Sequence, residues 1–152
     1  MSAYDVDFKA CPEAYRCESN EKEVFKVEPY KSVLLGHWQY KDEAAAQDAV
    51  RALCARYAVY RRTGDFVGMD MVRKYLRMGF TRAMRYAKYP AGTKYRDDGS
   101  EREPQQWADP EKREAAVVFR EAWQTVLDDK AYQAMKTHHV EHVYDANDSP
   151  MA

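Results

Sequence analysis

Asp65 and Asp70, with Glu28 as a third candidate, are the carboxylates that could hold a divalent cation while neighbouring arginines clamp a phosphate. A plainer reading competes with this metal-dependent phosphoryl-transfer enzyme. Asp65 caps the helix that follows it, and Asp70 pairs with Lys74 one turn on, worth about 0.3–0.5 kcal/mol at a surface. Spacing alone does not bring the carboxylates together. His138, His139 and His142 form a second cluster, since positions 138 and 142 share a helical face as metal ligands can, with Glu141 or Asp145 as oxygen donors. The arrangement is not His-Glu-x-x-His, because Glu141 adjoins His142; a solvated helix end near the negative C-terminal dipole fits better. Cys54 lies beside an apolar stripe, where a thiol is buried and inert. The chain contains no phosphate-cradling glycine motif, dinucleotide fingerprint or nucleophile elbow. No catalytic residue, metal ligand or cofactor is therefore assigned.

Binding chemistry is better represented. Residues 56–96 hold eleven Lys/Arg against two acids, which leaves 13 of the 24 basic and 23 of the 25 acidic residues elsewhere. Tyr57, Tyr60, Tyr75, Tyr86, Tyr89 and Tyr95 run through the same stretch. Positive charge attracts phosphates and aromatic faces stack on bases, so the combination raises nucleic acid or another polyphosphate as a ligand. The residues expected to carry it are Arg73, Lys74, Arg77, Arg82, Arg85, Tyr86 and Tyr89. The cations would neutralise phosphates, and the last two tyrosines would stack. Two other readings stand beside this one. The 23 acids could neutralise the segment inside the fold, or its surface could engage an acidic protein partner, as in a small phage-type interaction or inhibitor protein.

The helices that carry these residues follow from periodicity and caps. Asp42 caps a helix running to about residue 62, with Ala49, Val50, Leu53, Tyr57 and Tyr60 on one stripe and Gly64 as its stop. Helices are predicted over 69–78 and 81–89, joined by Gly79-Phe80-Thr81, which has the turn length of a helix-turn-helix unit. Arg82 and Arg85 would then lie near the start of the second helix, where groove-reading residues usually sit. Residues 91–106 read as an exposed loop. Asp109 and Pro110 open a strong helix that turns Ala115, Phe119, Ala122, Trp123 and Val126 inward, and Asp129 starts a last helix through His139. Before residue 42, alternation over 23–27 and the apolar run 32–40 predict a short hairpin turning at Pro29.

Altogether the pattern predicts a mainly α single domain of about five helices over residues 1–145, with that hairpin as an N-terminal addition and a flexible tail over 146–152. A chain of 152 residues with 45% hydrophobic and 32% charged residues fits one well-packed, well-solvated domain. The net charge of −1 does not point to nucleic acid; only the local asymmetry does. Three cysteines without a Cys-x-x-Cys pair are expected to be reduced thiols in a cytoplasmic protein, and neither a membrane span nor a signal peptide is expected.

The run from Asp65-Phe66-Val67-Gly68-Met69-Asp70-Met71-Val72-Arg73-Lys74-Tyr75-Leu76-Arg77-Met78-Gly79-Phe80-Thr81-Arg82 through Arg85-Tyr86-Ala87 resembles the signature of an uncharacterised family of small bacterial and phage proteins, a domain of unknown function. Glu28-Pro29-Tyr30-Lys31-Ser32, His37-Trp38 and Gly92-x-Lys94-Tyr95 resemble it too, so the likeness covers roughly residues 8–136. It implies a shared fold and a bacterial or phage origin, and it carries no activity or catalytic residue.

Overall fold

Each of the four long helices begins at an aspartate, whose carboxylate accepts a backbone N–H that the first turn leaves without an intrahelical partner. In the computed structural model, which describes residues 6–17, 24–89, 95–101, 103 and 109–143, five α-helices follow one another. They are α1 (Tyr30–Leu34), α2 (Glu43–Thr63), α3 (Phe66–Lys88), α4 (Pro110–Asp128) and α5 (Lys130–His138). Asp42 takes the Ala45 N–H at 2.8 Å, Asp65 that of Gly68 at 3.1 Å, and Asp129 that of Ala131 at 3.0 Å. Asp109 accepts from both Glu111 and Lys112, with Pro110 at the first helical position. Gly64 ends α2 with φ 73°, a left-handed conformation that costs a residue without Cβ little. The tail expected over 146–152, and most of the expected loop over 91–106, lie outside the described residues.

The domain is helical as expected, with two corrections. First, the predicted N-terminal hairpin does not form. Residues from Tyr30 onward wind into α1 and then a 3-10 turn over Leu35–His37, and pairing among the described residues is confined to isolated bridges, Asp7 with Glu28 and Tyr95 with Glu101. Helical spacing places Tyr30 and Leu34 on one buried face. The Glu28 carboxylate fixes the start by accepting from the Ser32 N–H at 2.8 Å and the Ser32 hydroxyl at 2.7 Å.

Second, the predicted pair of helices over 69–78 and 81–89 is one continuous helix of 23 residues. Gly79 is not a turn. A Cβ placed there would lie 2.4 Å from the Phe119 ring, and one at Gly68 would lie 2.4 Å from the Tyr60 ring. The two glycines let α4 and α2 lay aromatic rings directly on the α3 backbone, which compensates for the lower helix propensity of glycine. The segment therefore forms no helix-turn-helix unit.

Helix α3 is the axis of the fold. It packs most extensively on α4; α2 touches both, and α5 and α1 add smaller contacts. Residues 66–72 are all buried, and Met69, Met71, Val72, Tyr75 and Leu76 meet Leu53 and Phe119 in the core. Among the described residues, no helix is long and apolar enough to cross a membrane.

Candidate nucleic-acid interface

The charged residues of α3 divide at about its midpoint. In the N-terminal half, Asp70 is fully buried and its two oxygens are surrounded. The Tyr132 hydroxyl donates to Oδ1 and the Tyr15 hydroxyl to Oδ2, each at 2.5 Å. Arg73, one turn on, donates through Nε to Oδ1 at 2.6 Å and through Nη2 to Oδ2 at 3.2 Å. Lys74 Nζ lies 3.7 Å from Oδ2, donates to the Arg16 carbonyl at 3.0 Å and sits 4.5 Å above the Tyr15 ring centre. Burial alone would raise the Asp70 carboxyl, but the Arg73 charge and hydrogen bonds, then Lys74 and the Tyr132 hydroxyl, outweigh it and hold it below the usual carboxylate range. Burial, then the adjacent carboxylate, pushes both phenols up, so they remain protonated donors.

Arg73 and Lys74, expected at a phosphate-binding surface, are therefore cations of an internal cluster. The cluster ties the segment around Tyr15, α3 and α5 together. The ordinary pairing of Asp70 with Lys74 is present, but inside the protein and with Arg73 as the closer partner.

The C-terminal half is different. Arg77, Arg85 and Lys88 are exposed, and their spacing of eight and three residues places them along one face of α3 with Thr81 between the first two. Tyr86 is 37% exposed, Tyr89 is partly buried at the helix end, and Arg82 is partly buried. The Arg82 guanidinium stands 5.1 Å from the Trp38 ring centre and 5.7 Å from that of Phe25, within cation–π reach. An aromatic ladder runs outward beside it. Tyr75 meets Trp38 at 5.7 Å, Trp38 meets Tyr40 at 5.3 Å, and Tyr40 meets Tyr86 at 6.3 Å between ring centres. Helix α4 starts next to this end of α3, where the Asp109 N–H reaches the Ala87 carbonyl at 3.3 Å. That contact brings Lys112 to 5.9 Å from the Tyr86 ring centre, with its ammonium donating to the Lys41 carbonyl at 2.5 Å.

A family model described as a domain of unknown function, DUF4385, matches residues 1–142. The chain belongs to that family. No curated protein and no solved structure matches it.

Of the seven binding residues expected in this DUF4385 chain, Arg77, Arg82, Arg85 and Tyr86 lie in the C-terminal half of α3 and Tyr89 directly follows it, whereas Arg73 and Lys74 belong to the buried cluster. Lys88 was legible as a further member, because its position continues the register of Arg77 and Arg85. Tyr40 and Lys112 carried no such signal, since only the tertiary fold brings them to Tyr86.

The remaining tyrosines of the basic stretch have other tasks. Tyr60 covers Gly68, Tyr75 is core, and the Tyr57 hydroxyl donates to Asp129 at 2.6 Å beside Arg61 at 2.9 Å. Hydrogen bonding from Arg61 outweighs partial burial and, with the Tyr57 hydroxyl, draws Asp129 down to about 2.

The residues weighed for metal chemistry are also placed. Asp65 accepts both of its close contacts from the Tyr30 hydroxyl, at 2.6 and 2.8 Å, besides capping α3. With Asp70 enclosed and Glu28 bonded to Ser32, the three carboxylates serve separate structural roles rather than one ion site. His139 is buried, its Nε2 2.9 Å from the Tyr15 carbonyl and its ring 5.0 Å from Phe66. It sits at the start of a π-helical turn over His139–Val143, while His138 and His142 pair outside at 5.2 Å between rings. Among the described residues, no three His, Cys, Asp or Glu side chains converge as metal ligands. Cys54 is half-buried and its thiol is pushed up by burial, in keeping with an unreactive side chain.

Proposed function

We propose that this protein binds single-stranded nucleic acid or another flexible polyphosphate along the C-terminal half of α3. The observation that supports it is the exposed register of Arg77, Arg85 and Lys88 with Tyr86 beside it. Eight residues of helix separate the Cα atoms of Arg77 and Arg85 by about 12 Å, too far for one phosphate and suited to successive phosphates of a chain. Arg82 and Lys112 enlarge the positive field, and Tyr86 offers a partly open ring for a base. A groove-inserting mode is disfavoured because the N-terminal half of α3 is enclosed and its C-terminal half is flanked by residues 38–40 and α4. The negative carbonyl end of α3 lies here too, so phosphate would be met by side chains rather than by the helix terminus.

The deciding experiment is fluorescence anisotropy with a labelled 20-nucleotide single strand, a duplex of the same sequence and inorganic polyphosphate as competitor, titrated over salt. Single-strand binding should weaken steeply with salt, and Arg77→Ala with Arg85→Ala should lower the log–log slope by about 0.7 per lost contact. Absence of binding at low salt, or binding that these substitutions leave unchanged, sinks the proposal. Capture of polyglutamate with equal affinity would favour the acidic-protein reading instead.

A further inference from the structure

The N-terminal end of α3 borders a cleft that the basic face does not use. It opens at the left-handed Gly64 turn between α2 and α3, faces the outer side of α5, and has a volume of about 750 Å³. That size falls within the roughly 300–1,000 Å³ of small-molecule sites. Pro12, Phe66, Val67, Ala134 and Met135 supply an apolar lining drawn from three separate parts of the chain. Phe66 packs against Tyr132 at 5.8 Å and His139 at 5.0 Å between ring centres, so this part of the lining belongs to the packed core. The π-helical turn begins at the same wall, a backbone irregularity often associated with functional sites.

The polar groups at the cleft set one carboxylate, Asp65, beside Lys9 and His138. Asp65 is the carboxylate in the lining, and its oxygens already accept from the Tyr30 hydroxyl and the Gly68 N–H, with Lys9 Nζ at 3.6 Å. It has little capacity left for a cationic ligand. Lys9, by contrast, is 65% exposed in its side chain and has further donors to offer. His138 is exposed at the same cleft, and Arg62 precedes the lining residue Thr63 in the last turn of α2.

We propose that this cleft binds a small aromatic carboxylate, with the ring against Phe66, Val67 and Met135 and the carboxylate toward Lys9 and His138. Apolar contact supplies most of the affinity, and the Lys9 ammonium, with His138 as a hydrogen-bonding neighbour, selects an acid over its neutral analogue.

The probes are 1-naphthoate and its uncharged isostere 1-naphthamide, titrated into the full chain and followed by methyl NMR of Val67, Ala134 and Met135. Saturable shifts with naphthoate and weaker binding of naphthamide are expected. Lys9→Gln should weaken naphthoate about two- to fivefold and leave naphthamide unchanged, as for an exposed ion pair. Ala134→Trp, at an exposed helical position where the fold tolerates bulk, should abolish both, with an unchanged circular dichroism melt as the control for folding. No shifts up to the solubility limit, or shifts that survive Ala134→Trp, overturn the site. Equal or tighter binding of naphthamide overturns the ligand class.

Discussion

The two halves of α3 carry similar side chains in opposite environments. Asp70, Arg73 and Lys74 lie in the N-terminal half, enclosed by Tyr15 and Tyr132, whereas Arg77, Arg85 and Lys88 reach water in the C-terminal half. A charge on this helix is thus structural or available according to what the rest of the chain packs over it. The lysine of the buried half hydrogen-bonds a backbone carbonyl contributed from 58 residues away, whereas Arg77 and Arg85 of the outer half are exposed to water.

That contrast can be broken from its buried side first. Asp70→Ala should destabilise the fold by about 3–5 kcal/mol in a denaturant melt, because buried Lys74 and largely covered Arg73 would lose their counter-ion. Tyr132→Phe should cost about 1.5–3 kcal/mol, the range for losing a hydrogen bond to a charged group. Losses below 1 kcal/mol in both would mean that the cluster is looser than its geometry. Next comes the boundary between the halves. Gly79→Ala pushes a methyl group into the Phe119 ring and should cost about 1–3 kcal/mol despite its better helix propensity. A Phe119→Leu background should recover part of that loss in a double-mutant cycle.

Acid tests the paired carboxylates in another way. Asp70 and Asp129 both have depressed folded-state pKa values, Asp129 about 2. Their contributions are present above the unfolded carboxyl pKa of about 3.9 and are lost as pH falls through the folded values. The melting temperature should therefore decline from about pH 4 toward pH 2. Asp129→Asn, which keeps a capping side chain, should flatten the part of that decline lying above about pH 2. An unchanged slope would remove Asp129 from the account. The smallest stability effect belongs to the outer half. Arg77→Ala and Arg85→Ala should each move stability by less than about 0.5 kcal/mol while changing phosphate-polymer affinity.

Local chemistry made much of the fold legible. Asp42, Asp109 and Asp129 announce their helices because a cap depends on the next two or three residues, and Gly64 announces a stop for the same reason. Gly79-Phe80-Thr81 misleads because a glycine that admits a ring looks, in sequence, like a glycine that turns a chain. The division of the basic segment was legible only in part: helical spacing pairs Asp70 with Lys74, but the enclosure of that pair is not written there. It depends on Tyr15 and Tyr132, which lie 55 and 62 residues from Asp70, and nothing in the spacing of Arg73 and Lys74 anticipates them. The short apolar run over 32–40 fits strand or helix equally well, and Tyr30 with Leu34 settled it through a face visible only once the core exists.

The continuity of α3 has a further consequence. From the Asp65 cap to Arg85 the helix rises about 30 Å, several times the Debye length of about 8 Å at physiological ionic strength. Two solutes seated at its opposite ends would not sense each other's charge through solvent. The single helix acts as a spacer, so occupancy at one end should leave the dissociation constant at the other unchanged, and any measured cooperativity between them would have to travel through the packed side chains around Asp70.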